Sequence, residues 1–375
     1  MKRRDWMAAA TAAAGALAAG RRAEARAAGA GASPSLESEV VRLQLRHTWT
    51  TTMSSSAYRD TLHVRYTKDG ATGIGEGAPI VRYHENALDA QKAVDAAREV
   101  VLAGDPWRLE TLEAEAFRRL ESQFAARAAL DIALHDWLGK SLGVPVYRLL
   151  GLDPAAAPIT TFSIGIDTPE ITRQKTREAA EFPVLKVKVG LDSDETTIEA
   201  VRSVTGKPLR VDANEGWHDK ETAIRKIEWL AGKGVELIEQ PLPAALVEET
   251  AWIKQRSPIP VFADEACLRA SAIPGLAHAY HGVNVKLDKT GGIREAVRMI
   301  HTARACGLKV MLGCMISSSV STTAAAQISP LVDYADLDGH LLIANDPWQG
   351  VSVVDGRLVL PDRPGLGLLP RRAGA

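Results

Sequence analysis

From Thr160 to Gly339 the chain repeats one pattern, a short run rich in Val, Leu and Ile followed by a longer amphipathic stretch. The apolar runs fall at 160–166 (TTFSIGI), 185–190 (LKVKVG), 209–214 (LRVDAN), 237–242 (LIEQPL), 260–266 (PVFADEA), 282–288 (GVNVKLD), 309–315 (KVMLGCM) and 332–339 (VDYADLDG). Runs of this length read as strands buried on both faces of a parallel sheet. The stretches between them, such as DETTIEAVRSVTG and REAVRMIHTARACG, open on acids and close at Gly, as helices do. Eight strand–helix units in sequence predict an α/β fold, a TIM-type barrel.

The region before the barrel has another character. LHVRYTKDGATGIGEGAP reads as two strands joined at Asp69-Gly70. FAARAALDIALHDWLGKSLG reads as a helix with Leu130, Leu134 and Trp137/Leu138 on one stripe. An α+β domain thus precedes the barrel. A last hairpin, in GVSVVDGRLVLPDRPGLGL, is expected to pack back onto it.

Polar residues interrupt the apolar runs in phase. Lys188, Asp212, Glu239, Asp264 and Lys286 follow one another at 24, 27, 25 and 22 residues. Each falls at the C-terminal end of its strand, where barrels carry their chemistry. The three acids therefore converge at one mouth, where they repel one another unless a cation neutralises them. All-oxygen ligation suits Mg²⁺, one ion per site. Asn214, Gln240 and Glu265, next to the three acids in sequence, are placed to orient them. Lys186 and Lys188 lie two apart and share a strand face. A like charge at Lys186 would lower the pKa of Lys188 towards the range of a working base. Lys286, four strands on, would face Lys188 across the mouth. Two opposed lysines beside a divalent metal suit proton removal next to a carboxylate, with the enediolate charge stabilised by both.

Composition changes the picture little. The chain of 375 residues is 46% hydrophobic and 24% charged, with a formal net charge of −1, which gives no electrostatic case for a nucleic-acid partner. No run of 18 apolar residues follows the N-terminus. Cys267, Cys306 and Cys314 have no metal-ligand spacing and are expected to be small buried hydrophobes. The N-terminus is distinct: Lys2, Arg3 and Arg4 precede an Ala/Gly-rich run and then AEARA. This reads as a secretory leader over residues 1–32, of the twin-arginine type, and predicts export to the periplasm. Segment 1–27 holds six basic and two acidic residues, so its loss leaves a chain near −5.

LKVKVG, RVDANEGW, IEQPLP, FADEAC and VNVKLDKTGG resemble the barrel motifs of the enolase superfamily, muconate-lactonising subgroup. AARAALDIALHDWLGKSLGVPVYRLLG resembles the helix that leads from that family's capping domain into its barrel. The resemblance implies a modified (β/α)₇β barrel over 156–345 and an α+β capping domain over 33–155, completed by 346–375. It implies Asp212, Glu239 and Asp264 as Mg²⁺ ligands, Lys188 and Lys286 as the acid/base pair, and Lys186 as their electrostatic helper. Asp288 and Lys289 fall just beyond the matched lysine and take no catalytic role by this match. On the eighth strand Asp336 and Asp338 share a face and resemble the paired acids with which dipeptide epimerases hold the substrate's free α-ammonium group. Met315 joins them as a substrate-binding residue. The expected function is Mg²⁺-dependent epimerisation at the α-carbon of the C-terminal residue of a dipeptide. An N-succinylamino acid racemase or cycloisomerase of the same subgroup is the alternative, and a non-catalytic exported peptide-binding protein a remote one. Ser317 stands where several relatives carry an acid. The capping loop TWTTTMSSSAY has no basic residue between Thr48 and Tyr58, so an apolar or small C-terminal residue is expected at least as much as an acidic one. Arg46, Arg59 and Arg82 lie outside it. The sequence leaves open whether the chain works alone or as a homo-oligomer.

Overall fold

A computed structural model describes residues 33–120 and 122–371, so the expected leader lies outside the described residues. Strands β1 (Ser35–Thr50), β2 (Ser55–Lys68) and β3 (Ala71–Gly77) form an antiparallel sheet. Asp69 and Gly70, at φ 51° and 78°, make the tight β2–β3 turn, a backbone that Asp and Gly tolerate. The sheet packs on helices α1 (Ala87–Ala103) and α3 (Phe124–Leu142), and α2 (Leu109–Phe117) packs against these two helices. Its core gathers Leu62, Val64 and Tyr66 from β2 with Leu130, Leu134 and Trp137 from α3.

The close approach of β3 to α3 is written in small residues. A Cβ on Gly73, Gly75 or Gly77 would fall 1.9 Å from the carbonyl oxygen of Ala133, Ala129 or Ala125 respectively. Glycine at every second strand position thus meets alanine at every fourth helix position.

The barrel follows in the predicted order: β4 (Phe162–Ile164), β5 (Leu185–Lys188), β6 (Leu209–Asp212), β7 (Val235–Glu239), β8 (Val261–Ala263), β9 (Gly282–Lys286), β10 (Lys309–Gly313) and β11 (Tyr334–Asp336). They run parallel in sequence order, and a bridge between Thr160 and Ala335 joins the first to the last. Helices α4 (Pro169–Glu178), α5 (Asp194–Arg202), α6 (Lys220–Gly232), α7 (Val247–Lys254), α8 (Ile293–Ala305) and α9 (Ser319–Ile328) surround it; after β8 there is only the short turn Ile273–Leu276. The last strand is followed by a single 3₁₀ turn, Gly339–Leu341, so the barrel is the modified (β/α)₇β form.

Buried carboxylates fasten the two halves together. Glu76 on β3 accepts from the backbone N–H groups of Ser318 and Ser321 and from the Ser318 hydroxyl, capping α9. Asp131 on α3 accepts from the N–H of Ile293 at the start of α8 (2.5 Å), and Asp288 from that of Ala78 (2.7 Å). The C-terminal hairpin divides its packing. Ser352–Val354 and Arg357–Val359 lie against the barrel, where Thr160 N–H donates to Gly356 O, while Leu366 N–H returns to Asp136 on α3. Cys267 is buried as expected, but Cys306 and Cys314 are partly exposed, because one ends α8 at the surface and the other faces the cavity described below. Among the described residues no helix is long and apolar enough to cross a membrane.

Candidate active site

A cavity of about 540 Å³ opens where the C-terminal ends of the barrel strands meet the β1–β2 hairpin tip and segment 79–88. The barrel contributes Lys186, Lys188, Asp264, Lys286, Asp336 and Asp338, and the capping side contributes Trp49, Met53, Arg59, Ile80, Arg82 and Tyr83. The expected capping loop is the hairpin tip itself, and the Thr52 hydroxyl rests on Asn214 O at 2.8 Å.

Asp212, Glu239 and Asp264 offer oxygens that all lie within 4.8 Å of one another, and all three are buried. Four lysines meet them. Lys188 donates to Asp212 at 2.6 Å, and Lys286 to Asp264 at 2.7 Å. Lys186 donates to Glu239 (2.8 Å) and Asp336 (2.6 Å) and lies 3.2 Å from Asp212. Lys289 holds the second oxygen of Asp264, its backbone carbonyl (2.8 Å) and that of Asn284 (3.0 Å). Two kinds of ammonium result: Lys186 and Lys289 are locked by several acceptors, whereas Lys188 and Lys286 each rest on one carboxylate. Strands β5 and β9 are separated by three strands in either direction round the barrel, so the two singly held lysines enter from opposite sides.

The expectation that Lys186 acts on Lys188 as a bare like charge needs correction. Burial lowers the pKa of Lys186, but Asp336, Glu239 and Asp212 outweigh burial and hold it well above the usual lysine range. Lys186 is a counter-ion inside the carboxylate cluster. Lys286 is likewise pulled down by burial yet held high by Asp264 and Glu239.

The acids divide in the same way. Burial raises Asp212 and Asp264, but lysine charge (Lys188 and Lys186 at Asp212, Lys286 and Lys289 at Asp264) pulls each below the usual range. Burial and the neighbouring Asp212 push Glu239 up to about 7, and burial with Asp264 pushes Glu265 to about 8. Burial and Asp336 push Asp338 to about 7. Four lysines therefore face six carboxylates, and the surplus negative charge is what a divalent cation relieves. The all-oxygen donor set and this surplus both fit Mg²⁺.

The flanking polar residues are in place. Asn214 N–H donates to Asp212 (2.9 Å) and its side chain to Glu265 (3.1 Å); Gln240 accepts from the N–H of Asp264 (2.9 Å). Asp336 accepts from Thr161 (2.5 Å) and Lys186, while Asp338 accepts from the N–H of Ser163 (2.5 Å) and has no cation within 4 Å among the described residues. The two acids thus differ: Asp336 is already paired and Asp338 is not. Met315 lines the cavity, whereas Ser317 is buried against Thr322 and does not line it. Arg82 pairs with Glu215 (2.7 and 3.0 Å), Arg46 donates to Leu341 O, and Arg59 lines the cavity.

Sequence reasoning missed Asn284, which donates to Glu239 at 2.8 Å, and the role of Lys289. Asn284 stands two residues before Lys286, as Lys186 stands two before Lys188, so alternation carried the signal. Lys289 lies beyond its strand, where alternation no longer applies.

The profile of the mandelate racemase / muconate lactonizing enzyme N-terminal domain matches residues 37–151, and that of the enolase C-terminal domain-like family matches residues 170–373. The chain belongs to the mandelate racemase/muconate lactonizing enzyme family. Within it, the chain is similar to the L-Ala-D/L-Glu epimerase of Bacteroides thetaiotaomicron, 43% identical over 87% of this chain and 85% of that one. It is as similar, at 43% over 86% and 94% of the two chains, to the L-Ala-D/L-amino acid epimerase of Pedosphaera parvula. The dipeptide epimerase of Cytophaga hutchinsonii, solved with Mg and D-Ala-L-Val, superposes with a TM-score of 0.85 at 25% identity, covering 91% of this chain and 96% of that one.

Proposed function

We propose that this protein is a Mg²⁺-dependent dipeptide epimerase that moves the α-proton of the C-terminal residue from one face of the α-carbon to the other. The observation that carries the reading is the pair of singly held lysines on opposed strands, flanking a buried three-carboxylate cluster. Asp212, Glu239 and Asp264 are the residues that would hold the metal. Bound there, Mg²⁺ supplies positive charge to the carboxylate of the substrate. Lys188 and Lys286 are the acid/base pair. A cation on the three carboxylates would remove the pairing that keeps these lysines charged. One, as the neutral amine, then takes the α-proton, and the other, as the ammonium, gives a proton to the opposite face. Each leaves its carboxylate to do so, and Lys186 and Lys289 stay behind as fixed positive charge. Asp338, the unpaired carboxylate, takes the α-ammonium group of the dipeptide, and Asp336 with Lys186 fixes its surroundings. The wall from the capping side excludes water and closes over the substrate.

We further propose that the protein is exported. The basic, Ala-rich segment 1–32 reads as a twin-arginine leader, which would place the mature enzyme in the periplasm among peptides from the cell wall. Fractionation of cells producing the full chain tests it: mature protein in the periplasm supports the proposal, and full-length protein in the cytoplasm rejects it.

The reaction is tested by proton NMR in D₂O, with Mg²⁺ and a panel of L-Xaa-L-Yaa dipeptides. The C-terminal α-proton signal should disappear while the other diastereomer grows in, and EDTA should stop both. Exchange from N-acylamino acids alone would move the assignment to a racemase.

A further inference from the structure

A second cavity, of about 400 Å³, opens at the joint between the capping helices and the barrel, and it shares no lining residue with the first. Four arginines line it: Arg127 on α3, Arg269 in the segment after β8, and Arg294 and Arg298 on α8. Three carboxylates face them, from Glu113 on α2, Asp131 on α3 and Glu295 on α8.

These acids do not balance the four cations. The carboxyl groups of Glu113 and Asp131 share a hydrogen bond, and burial with the Asp131 charge pushes Glu113 up to about 10. The pair therefore keeps a proton and carries one negative charge, not two. Arg294 reaches Glu113 with Nε at 2.9 Å, and Arg298 reaches Glu295 at 2.6 Å. Yet Nη1 of Arg294 is buried with no hydrogen-bond partner among the described residues. Arg269 has no carboxylate within 4 Å among the described residues, and its Nη1 donates to the backbone carbonyls of Leu268 and Lys289. Two further acids stand outside the lining. Glu85 accepts from the N–H groups of Phe124 (2.7 Å) and Ala125 (3.0 Å), and Glu110 is exposed, 3.7 Å from Arg294.

Two of the cations are also crowded together. The guanidinium carbons of Arg127 and Arg269 stand 4.6 and 3.3 Å from the centroid of one ring, that of Phe124. Burial and the charge of Arg127 bring Arg269 down to about 10. Like charges gathered round a partly desolvated cavity are unfavourable until an anion enters it. Forked guanidinium N–H groups suit the tetrahedral oxygens of such an anion.

We propose that this second cavity binds a small, doubly charged oxyanion of the phosphate class, held by Arg127, Arg269, Arg294 and Arg298. Arg127 belongs to the capping domain and the other three to the barrel, so the anion bridges the two. It is a removable clamp on the joint that sets the cap over the barrel mouth, and no proton of the epimerisation passes through it.

The test titrates inorganic phosphate into the full chain by calorimetry at constant ionic strength, with and without Mg²⁺, for wild type, Arg269→Met, Arg298→Met and Arg59→Met. Wild type should bind with a Kd of about 1 mM or below in both conditions, and saturating phosphate should raise its unfolding temperature by about 2 °C or more. Arg269→Met should weaken binding at least about tenfold and Arg298→Met about threefold, whereas Arg59→Met, in the other cavity, should stay within about twofold of wild type. Arg298 is half exposed, so its variant carries the test if Arg269→Met does not fold. No saturable binding by wild type below about 10 mM overturns the inference. Binding that needs Mg²⁺, or that falls in Arg59→Met and survives Arg269→Met and Arg298→Met, places the phosphate in the first cavity and also overturns it.

Discussion

The barrel side of the cavity and its capping side treat charge differently. On the barrel side, Lys188 and Lys286 sit 2.6 and 2.7 Å from their carboxylates, and Lys186 and Lys289 are locked by several acceptors each. On the capping side, Arg59 has no carboxylate within 4 Å among the described residues, and much of the surface is Trp49, Met53, Ile80 and Val81. A dense lattice of short ion pairs holds reacting groups in fixed positions, as proton transfer requires. A sparse, largely apolar wall shapes the space left for a ligand without altering the chemistry.

The comparison breaks most visibly at the barrel lysines. Lys286→Ala should lower epimerisation by about 10³-fold or more, because general acid–base catalysis on one face is lost. Conversion of one diastereomer to the other, followed by NMR, checks this; a loss below about tenfold would mean that the lysine is not a proton carrier.

The joint between the two sides comes next. Glu76 ties β3 to α9, and His63 with the Ser318 donors outweighs burial to hold it at about 2, against an ordinary glutamate value of 4.5. A depressed folded pKa contributes stability above the unfolded value and loses it as pH falls through the folded one. Glu76→Gln should therefore cost about 3 kcal/mol at pH 7, with the difference from wild type shrinking as pH falls from about 4.5 towards 2. Urea unfolding of both proteins across that range measures it. A pH-independent difference would detach the effect from the charge of Glu76.

Asp338→Asn probes the barrel side of the ligand. It should reduce kcat/KM for dipeptides by about 10²-fold, through loss of the partner of the α-ammonium group. Unchanged turnover would remove that role. The smallest effect is expected at the rim, where Arg82 is partly exposed and paired with Glu215. Arg82→Met should raise KM a few-fold at most, consistent with about 1 kcal/mol or less for an exposed pair. A large fall in kcat would show that the rim takes part in the chemistry.

Much of the barrel side was legible in the sequence, because strand geometry constrains it. Alternation put Lys186 and Lys188 on one face, and the strand–helix period put Lys188, Asp212, Glu239, Asp264 and Lys286 at one end. The pairings within that set were not legible: Lys186 meets Asp336 across 150 residues, and nothing local sets that distance. For the same reason a neighbouring charge at Lys186 was expected to bear on Lys188 directly, whereas three carboxylates stand around it. The capping side was least legible. Whether Arg46, Arg59 or Arg82 reaches the cavity depends on how the β1–β2 hairpin docks over the barrel. The Gly73, Gly75 and Gly77 series that brings β3 onto α3 was visible in the sequence, but its meaning needed the facing Ala125, Ala129 and Ala133.

The central claim is that Lys188 and Lys286 act on opposite faces of one α-carbon. The most direct measurement is deuterium incorporation at that carbon in D₂O with Mg²⁺, followed separately from each pure epimer in Lys188→Ala and in Lys286→Ala. Each variant should exchange one epimer only, and the two variants should select opposite epimers. Exchange from both epimers in either variant would contradict a pair of face-specific bases.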